Sequence, residues 1–381
     1  MKIADVKVRR FRHTARQDKD SDGHSHPCPP RPVTSSLLTV VADDGSEGHC
    51  FAGNEFVRPH LLDSYIRTVL IGEDPFAREK LWQDLAHWQR GSGGILTDRT
   101  LGIVDQALWD LAGRTLGVPV YKLIGSYRDK VPAYGSTMCG DEIAGGLATP
   151  DDYGRFAEQL VGMGYKAIKL HTWMKPVSFA PDPKMDVKAC AAVREAVGEG
   201  FPLMIDAYHG YSRQDALWLG LELQKLGFFW YEEMMNEASM SSYAWLSQKL
   251  TMPVIGPETM EGKFHTRAEW IRSGAADITR TGANDVGGIS PSLKVIHLAE
   301  CFGMNCEVHG NGPANLTLCA VQKNGRWYER GLLHPHYDYD TPPEYLRTLP
   351  DRMDADGYVH LSQQPGLGWD IDFDYIDANL V

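Results

Sequence analysis

The chain has 381 residues, too many for one small core and enough for a barrel with a smaller second domain. Its formal net charge of −12 and its pI of about 5.6 argue against a nucleic-acid partner, which would require a basic face. The seven scattered cysteines include no CxxC, and the sequence shows no signal peptide and no apolar run of about 18 residues, so we expect a cytoplasmic protein without a membrane span.

The first 128 residues are predicted to form an α+β domain. The pattern indicates a strand at 1–14 and a hairpin whose strands, 36–41 and 47–51, are joined by an Asp-Gly turn. It also indicates three helices, at 58–72, 75–90 and 98–116. Residues 15–35 are polar and rich in Asp, His and Pro. They are predicted to be an irregular loop, and loops of this length are often functional lids.

After residue 129 the pattern changes to alternating strands and helices, which predicts a parallel barrel over 129–330. Eight strands are expected, at 131–136, 166–171, 202–207, 228–233, 253–257, 276–281, 304–309 and 326–329. The remaining segment, 331–381, is rich in Asp, Tyr and Pro, and we expect it to pack on the first domain.

Three carboxylates stand at equal spacing within the predicted barrel. Asp206, Glu232 and Glu258 are 26 residues apart, and each follows a short apolar run. An acidic residue after a strand is often only a helix N-cap or a loop residue. A parallel barrel, however, brings the ends of its strands to one mouth. Three oxygen ligands around one point would suit Mg²⁺.

Motifs outside the carboxylates make the whole chain resemble one known family. They include Asp105-Gln-Ala-Leu-Trp-Asp110, Gly117-Val-Pro-Val-Tyr-Lys-Leu-Ile-Gly125 and Val286-Gly-Gly-Ile289. With the carboxylates, they resemble the mandelate racemase / muconate lactonizing enzyme branch of the enolase superfamily. The resemblance implies a modified TIM barrel of the (β/α)7β type with an N-terminal capping domain.

The resemblance also implies a chemistry. Asp206, Glu232 and Glu258 would bind Mg²⁺, which would hold the carboxylate of a small-molecule substrate while a base removes the neighbouring α-proton. Losing that proton places a second negative charge beside the first, so electrostatic stabilisation of the enediolate must supply most of the rate gain. Glu233, next to a ligand on the same strand, would face away from the metal and lie behind the ligands.

The base is expected on the second barrel strand. Lys169 and His171 are two residues apart, so both side chains face the barrel interior. The family usually has Lys-x-Lys here, with the second Lys as the base, so the resemblance assigns this role to His171 and a cationic role to Lys169. Histidine is a competent base near neutral pH. The alternative is a hydrogen-bonded core histidine.

On the seventh and eighth strands, His309 and Glu329 match further family residues. His309 would act from the opposite face, where an Asp normally pairs with it, but Gly282 occupies that Asp position. Glu307, Asp285 or a water remain as partners. Glu329 would bind the substrate carboxylate and must be protonated to do so, which burial among carboxylates favours. Ser136 is a plausible carboxylate contact or an ordinary strand serine.

Substrate specificity in this branch is expected from the capping domain. The segments involved are about 15–35, with His24 and His26, and about 50–60, with Arg58. Trp173 is a further candidate for the pocket wall. The His-x-His pair either recognises substrate hydroxyls or has no function, and a polar lid suits a polyhydroxy acid.

Two dissimilar groups, His171 and His309, flanking one site predict an acid-sugar dehydratase that converts an aldonate or aldarate to a 2-keto-3-deoxy acid. His171, alone or with Lys169, would remove the α-proton, and His309 would protonate the departing β-hydroxyl. The alternatives are a hydroxy-acid racemase or epimerase, or a lactone cycloisomerase, acting through the same enediolate. A third possibility is a barrel that binds an acid sugar without catalysis. A two-base racemase expects matched bases, and Gly282 counts against it. We also expect a homo-oligomer.

Overall fold

The computed structural model describes residues 1–20 and 24–381. At the N-terminus, three antiparallel strands form a sheet in the order β1-β2-β3, with β1 Ile3–Lys19, β2 Ser25–Ala42 and β3 Glu47–Gly53. Helical segments follow, namely a 3-10 turn Asn54–Phe56, α1 Pro59–Leu61, a π-helical turn Leu62–Ile66, α2 Arg67–Leu70, α3 Arg78–Gly91, α4 Asp98–Leu116 and α5 Val120–Ile124. These elements form the cap over the mouth of the barrel.

The irregular loop predicted for residues 15–35 is wrong. β1 and β2 continue as one long hairpin whose pairing extends to Lys19 and Ser25; residues 21–23 of the predicted loop lie outside the described residues. The four prolines of β2 misled the prediction, because proline cannot donate a ladder hydrogen bond. β3 pairs with β2 only from Ser35 onward, so the proline-rich half has a free edge where proline is tolerated.

Helix α4 forms the core of the cap. Thr97 caps its N-terminus by accepting a hydrogen bond from the Thr100 amide at 3.3 Å, and Gly117 ends it in the left-handed conformation with φ 68°. Thirteen consecutive residues of the helix beyond Thr100 are buried. A Cβ at Gly48 would lie 2.2 Å from the Ala107 carbonyl oxygen, so only glycine lets β3 approach the helix this closely.

The barrel contains eight parallel strands in the sheet order β10-β9-β8-β7-β6-β5-β4-β11. These are β4 Lys130–Thr137, β5 Ala167–His171, β6 Leu203–Asp206, β7 Trp230–Glu232, β8 Val254–Ile255, β9 Ile278–Thr281, β10 Asn305–Val308 and β11 Tyr328–Leu333. One helix follows each of the first seven, namely α6 Pro150–Gly162, α7 Pro183–Val197, α8 Arg213–Lys225, α9 Met240–Ser247, α10 Lys263–Ser273, α11 Ile289–Cys301 and α12 Pro313–Val321. The predicted (β/α)7β barrel with an α+β cap is confirmed.

The C-terminal segment returns to the cap. It contains β12 Tyr358–His360, antiparallel to β4, and α13 Phe373–Ala378. Its apolar side chains share a small core with Phe11 and Leu37 of the cap sheet. Buried Asp110 of α4 accepts hydrogen bonds from the amides of His49, at 2.9 Å, and Leu367, at 2.7 Å, so one carboxylate connects sheet, helix and tail.

Helix α4 also docks on the barrel, at the segment between β9 and α11. Asp105 accepts hydrogen bonds from the Ser290 hydroxyl at 2.6 Å and from the Ser290 amide at 3.0 Å, and Trp109 Nε1 donates to the same hydroxyl at 3.0 Å. A Cβ at Gly102 would lie 2.5 Å from the Ala283 carbonyl oxygen. A Cβ at Gly288 would lie 2.3 Å from Asp105 Oδ2, so two of the sequence motifs, 105–110 and 286–289, meet at the boundary between the cap and the barrel. Across the described ranges, no helix combines the length and apolarity needed to cross a bilayer.

The first turn of helix α7 carries a buried carboxyl group. Asp186 is 1% exposed, and its Oδ2 accepts a hydrogen bond from the Tyr211 hydroxyl. Burial raises the pKa of Asp186 to about 7, although the Tyr211 hydroxyl lowers it. A carboxyl group whose folded pKa lies above its unfolded value binds its proton more tightly when the chain is folded. It therefore stabilises the fold less as pH rises from about 4 to 7.

We predict that Asp186→Asn removes this pH dependence. Relative to the variant, the wild-type chain should lose up to about 1.4 kcal/mol of stability per pH unit between pH 4 and 7, so the variant should be the more stable protein at pH 8. Thermal unfolding of both proteins from pH 5 to 8 measures the difference, with the exposed Asp151→Asn as control. A constant difference in melting temperature across this range would contradict the prediction.

Candidate active site

A cavity of about 990 Å³ lies between the cap and the C-terminal ends of the barrel strands. The barrel interior beneath it is filled by an apolar layer, and the next inward-facing residue on several strands, two positions further along, is polar. Thus Met204 precedes Asp206, Trp230 precedes Glu232 and Trp327 precedes Glu329. The strand period of two places a polar layer directly on an apolar floor.

The three equally spaced carboxylates meet in this layer. Asp206 and Glu232 end neighbouring strands and are paired in register, and Glu258 follows β8. All three are buried, and one oxygen from each lies within 4.8 Å of the others. Burial raises the pKa of Glu232 well above its ordinary value despite the nearby Arg280 and Lys169. Three hard oxygen donors with this excess of buried negative charge fit a divalent cation such as Mg²⁺.

Two buried cations hold the carboxylates together. Lys169 Nζ lies 3.1 Å from Asp206, 3.2 Å from Glu232 and 3.1 Å from Glu329. Burial opposes its charge, but these carboxylates raise the pKa of Lys169 well above its ordinary value, which favours the charged ammonium group.

Arg280 of β9 is the second cation, and it is not among the residues predicted from the sequence. Its Nε lies 3.1 Å from Glu258 and its guanidinium contacts Glu329 at 3.0 Å. The signal was available, because Arg280 follows buried Ile278 by two residues on a predicted strand and must share its inward face.

His171 contacts an oxygen atom with each of its ring nitrogens. Its Nδ1 lies 2.5 Å from the Thr137 carbonyl oxygen, which can only accept, so Nδ1 carries the proton in the neutral ring. Nε2 lies 3.2 Å from Asp206, and the residue lines the cavity. The Tyr208 ring stacks on the imidazole at a centroid distance of 4.7 Å and 26°. Tyr208 was also missed, although it follows Asp206 by two residues.

His309 contacts two carboxylates, those of Asp285 and Glu258. Its Nδ1 lies 2.8 Å from Asp285 and its Nε2 lies 3.0 Å from Glu258. Burial opposes protonation, yet these two carboxylates raise the pKa of His309 well above its ordinary value. A Cβ at Gly282 would lie 2.2 Å from Asp285 Oδ2. Glycine therefore stands at the usual Asp position because the Asp285 carboxylate folds back over it. Glu307, another considered partner, accepts hydrogen bonds from the Arg326 and Trp327 amides instead.

Two expectations about glutamates are wrong. Glu329 was expected to be protonated, but although burial opposes ionisation, Lys169 and Arg280 hold its pKa below the ordinary value. Glu233 was expected to face away from the site. It follows the last residue of β7 with φ 45°, so strand alternation has ended and its side chain lines the cavity. There its Oε1 lies 3.3 Å from His209 Nε2.

Of the five residues predicted to bind substrate, only His24 lines the cavity. His24 lines the cavity and its ring centroid lies 3.8 Å from that of Tyr208. His24 and His26 both contact Asp20, at 3.1 and 3.0 Å, which ties the end of the hairpin together. His26 does not line the cavity. Neither do Arg58, which lines a separate surface depression, Trp173, which packs against Tyr153 and Phe179, and Ser136, which is fully buried.

A capped parallel barrel with three clustered carboxylates at its mouth and a histidine on either side belongs to the class of barrels that bind a divalent cation beside acid–base groups. The comparisons with known families name the class. Residues 152–375 match the enolase C-terminal domain-like family, and residues 34–125 match the N-terminal domain of the mandelate racemase / muconate lactonizing enzyme family. The chain belongs to the enolase superfamily, in its mandelate racemase / muconate lactonizing enzyme branch.

Individual relatives extend over nearly the whole chain. A crystal structure of D-glucarate dehydratase from Agrobacterium tumefaciens complexed with magnesium is 65% identical, with a TM-score of 0.99, and the match covers 100% of this chain and 99% of that one. L-talarate/galactarate dehydratase of Salmonella typhimurium is 29% identical over 89% of this chain and 81% of its own length. D-galactarolactone cycloisomerase of Agrobacterium fabrum is 29% identical over 89% of each chain.

We predict that Glu258→Gln weakens divalent-cation binding by about 100-fold or more, because one anionic ligand of a three-carboxylate set is lost. Calorimetric titration of the metal-free protein with Mg²⁺ or Mn²⁺ measures the affinity. Glu261→Gln, three residues further along the same segment and exposed, is the matched control. Equal affinity of the Glu258 and Glu261 variants would rule out Glu258 as a ligand.

Proposed function

We propose that this protein is a Mg²⁺-dependent acid-sugar dehydratase, a hydro-lyase that converts an aldonate or aldarate to a 2-keto-3-deoxy acid. The observation that carries the proposal is the unequal pair of histidines beside the three carboxylates. His171 contacts one carbonyl oxygen through Nδ1 and one carboxylate, Asp206, through Nε2, whereas both nitrogens of His309 contact carboxylates. One group is suited to accept a proton and the other to donate one.

Asp206, Glu232 and Glu258 would hold the metal, and Glu233 is positioned beside them and not among them. When bound, Mg²⁺ supplies Lewis-acid polarisation of the substrate carboxylate, which acidifies the α-proton. Lys169 adds a positive charge at the same place, since its ammonium group is fixed among Asp206, Glu232 and Glu329. The small-molecule carboxylate thereby meets positive charge in a protein of net charge −12.

His171 removes the α-proton through Nε2. Its ring is fixed at Nδ1 by Thr137 and supported on one face by Tyr208, so the lone pair keeps a single direction. His309 donates a proton to the departing β-hydroxyl, which leaves as water. Asp285 orients the His309 ring and stabilises its cationic form, as an acid of this type requires. The enol that remains tautomerises to the 2-keto-3-deoxy product.

The similarity to the two sugar-diacid dehydratases supports this assignment. The similarity to a cycloisomerase supports a second candidate function, in which removal of the same α-proton leads to opening of a lactone ring. A two-base racemase or epimerase is less well supported, because such an enzyme needs two groups of similar basicity, and the partners of His171 and His309 differ. We further propose a cytoplasmic location and a homo-oligomeric assembly.

We predict that the protein with Mg²⁺ releases a 2-keto-3-deoxy acid from a narrow set of aldonates and aldarates. Semicarbazide traps the keto acid for detection, and repeating each positive reaction in D₂O separates the candidates. Dehydration places one deuterium at C3 of the product, because the enol is protonated by solvent. An epimerase would place deuterium at the α-carbon of recovered substrate and form no keto acid, and a cycloisomerase would act only on lactones.

His171→Asn provides the internal control for this experiment. It should lose dehydration by at least about 10²-fold and also lose α-hydrogen exchange, since the base itself is removed. His26→Asn, a histidine outside the cavity, should leave both nearly unchanged. Turnover by His171→Asn close to that of the wild type would overturn the assignment of the base.

A separate prediction concerns Asp285. Asp285→Asn should lower kcat for dehydration by about 10- to 100-fold, since His309 loses the carboxylate that orients it and stabilises its charge. The α-hydrogen exchange should persist, because His171 is untouched. Asp277→Asn, at the opposite end of β9, is the control. If exchange and dehydration fall equally in Asp285→Asn, the carboxylate supports only the fold.

A further inference from the structure

Three basic side chains line the active-site cavity outside the carboxylate cluster. Lys19, at the end of β1, and Arg99, in the first turn of α4, belong to the cap, and Lys175 follows β5. None of them takes part in holding Asp206, Glu232 and Glu258, which Lys169 and Arg280 already contact. Their role in the cavity therefore needs a separate explanation.

These three side chains have no ion-pair partner among the described residues, as no carboxylate oxygen lies within 4.0 Å of their charged nitrogens. The carboxylate nearest to Arg99 in sequence, Asp98, is engaged by Lys263 at 2.8 Å and by Gln89 at 2.7 Å. All three side chains are exposed, and the Arg99 guanidinium also lies 5.6 Å from the centroid of the Phe56 ring. They leave positive charge directed at the contents of the cavity.

Lys19 and Arg99 lie close enough to affect each other. Lys19 is an exposed side chain, and its partial desolvation by neighbouring groups and the Arg99 guanidinium lower its pKa, whereas Glu55 raises it. Two like charges held together at a cavity wall repel each other until an anion binds between them. The planar guanidinium of Arg99 is suited to a carboxylate, which it can bind through two parallel hydrogen bonds.

We infer that Lys19 and Arg99 form the binding site for a second carboxylate of the substrate, so that the enzyme selects aldarates over aldonates. The inference rests on the proposed function, in which the first carboxylate binds at the metal and Lys169. A cavity of about 990 Å³ accommodates a six-carbon diacid. An aldonate has a neutral hydroxyl at its far end and leaves the two cations without a counter-ion.

The test compares acids that differ only at the far end, D-glucarate with D-gluconate and galactarate with D-galactonate, each with Mg²⁺. The variants are Lys19→Met and Arg99→Met, which keep the length of an apolar stem. Lys7→Met, an exposed lysine on the same strand and outside the cavity, is the control. Each cap variant should raise KM for the diacid about 10-fold with kcat within about threefold, because a contact made equally in ground and transition states is lost.

Kinetic constants for the monoacid should not change, so the preference for the diacid falls by about 10-fold in each variant. The Lys7 variant should keep the wild-type preference. An unchanged preference in both cap variants would overturn the inference. So would a cap variant whose kcat for diacid and monoacid falls equally, since that indicates general damage and not lost recognition.

Failure of the inference can be separated from failure of the proposed function by measuring binding without turnover. In the His171→Asn background with Mg²⁺, calorimetric titration with D-glucarate and D-gluconate should show tighter binding of the diacid. That difference should disappear when Lys19→Met or Arg99→Met is added. This result would uphold the second-carboxylate site even if no acid sugar were dehydrated, and equal binding of the two acids would overturn it.

Discussion

The buried negative charge at the mouth of the barrel is the constraint on which the rest of the site depends. Parallel strands bring Asp206, Glu232 and Glu258 within a few ångströms of one another, where ionised carboxylates are costly to bury. Lys169 and Arg280 compensate part of this charge, and a divalent cation would complete the compensation. Lys169 is held among these carboxylates, and His171, which also contacts Asp206, is the residue that we propose as the base.

The cap and the catalytic end of the barrel are structurally connected. Helix α4 contacts the β9–α11 segment through Asp105, Trp109 and the close approach at Gly102, and the same segment carries Asp285. The partner of His309 is thus held where the cap docks. The cap also supplies the unpaired cations Lys19 and Arg99. The carboxylates and histidines therefore lie at the strand ends, while the cap contributes Lys19, His24 and Arg99 to the lining of the same cavity.

Each prediction from sequence that failed relied on a local pattern, and another feature of the folded structure decided the outcome. Proline spacing indicated a loop over 15–35, but a free strand edge accepts proline. Alternation along β7 placed Glu233 away from the cavity, yet the strand ends one residue earlier. Burial favoured a protonated Glu329, but the facing Lys169 and Arg280 outweigh burial. In each case the deciding partner lies far away in sequence or the element ends sooner than its pattern suggests.

The sequence by itself determined the eight strands, the inward positions of Lys169 and His171 and the convergence of three carboxylates. These follow from strand period and parallel order, which are local properties repeated along the chain. Only the tertiary structure decided that Asp285 replaces the usual partner of His309, that Tyr208 stacks on His171 and that Lys19 and Arg99 share one cavity. Those contacts join loops and a distant domain, and no periodic pattern encodes which loop folds back over Gly282 or where a hairpin end comes to lie.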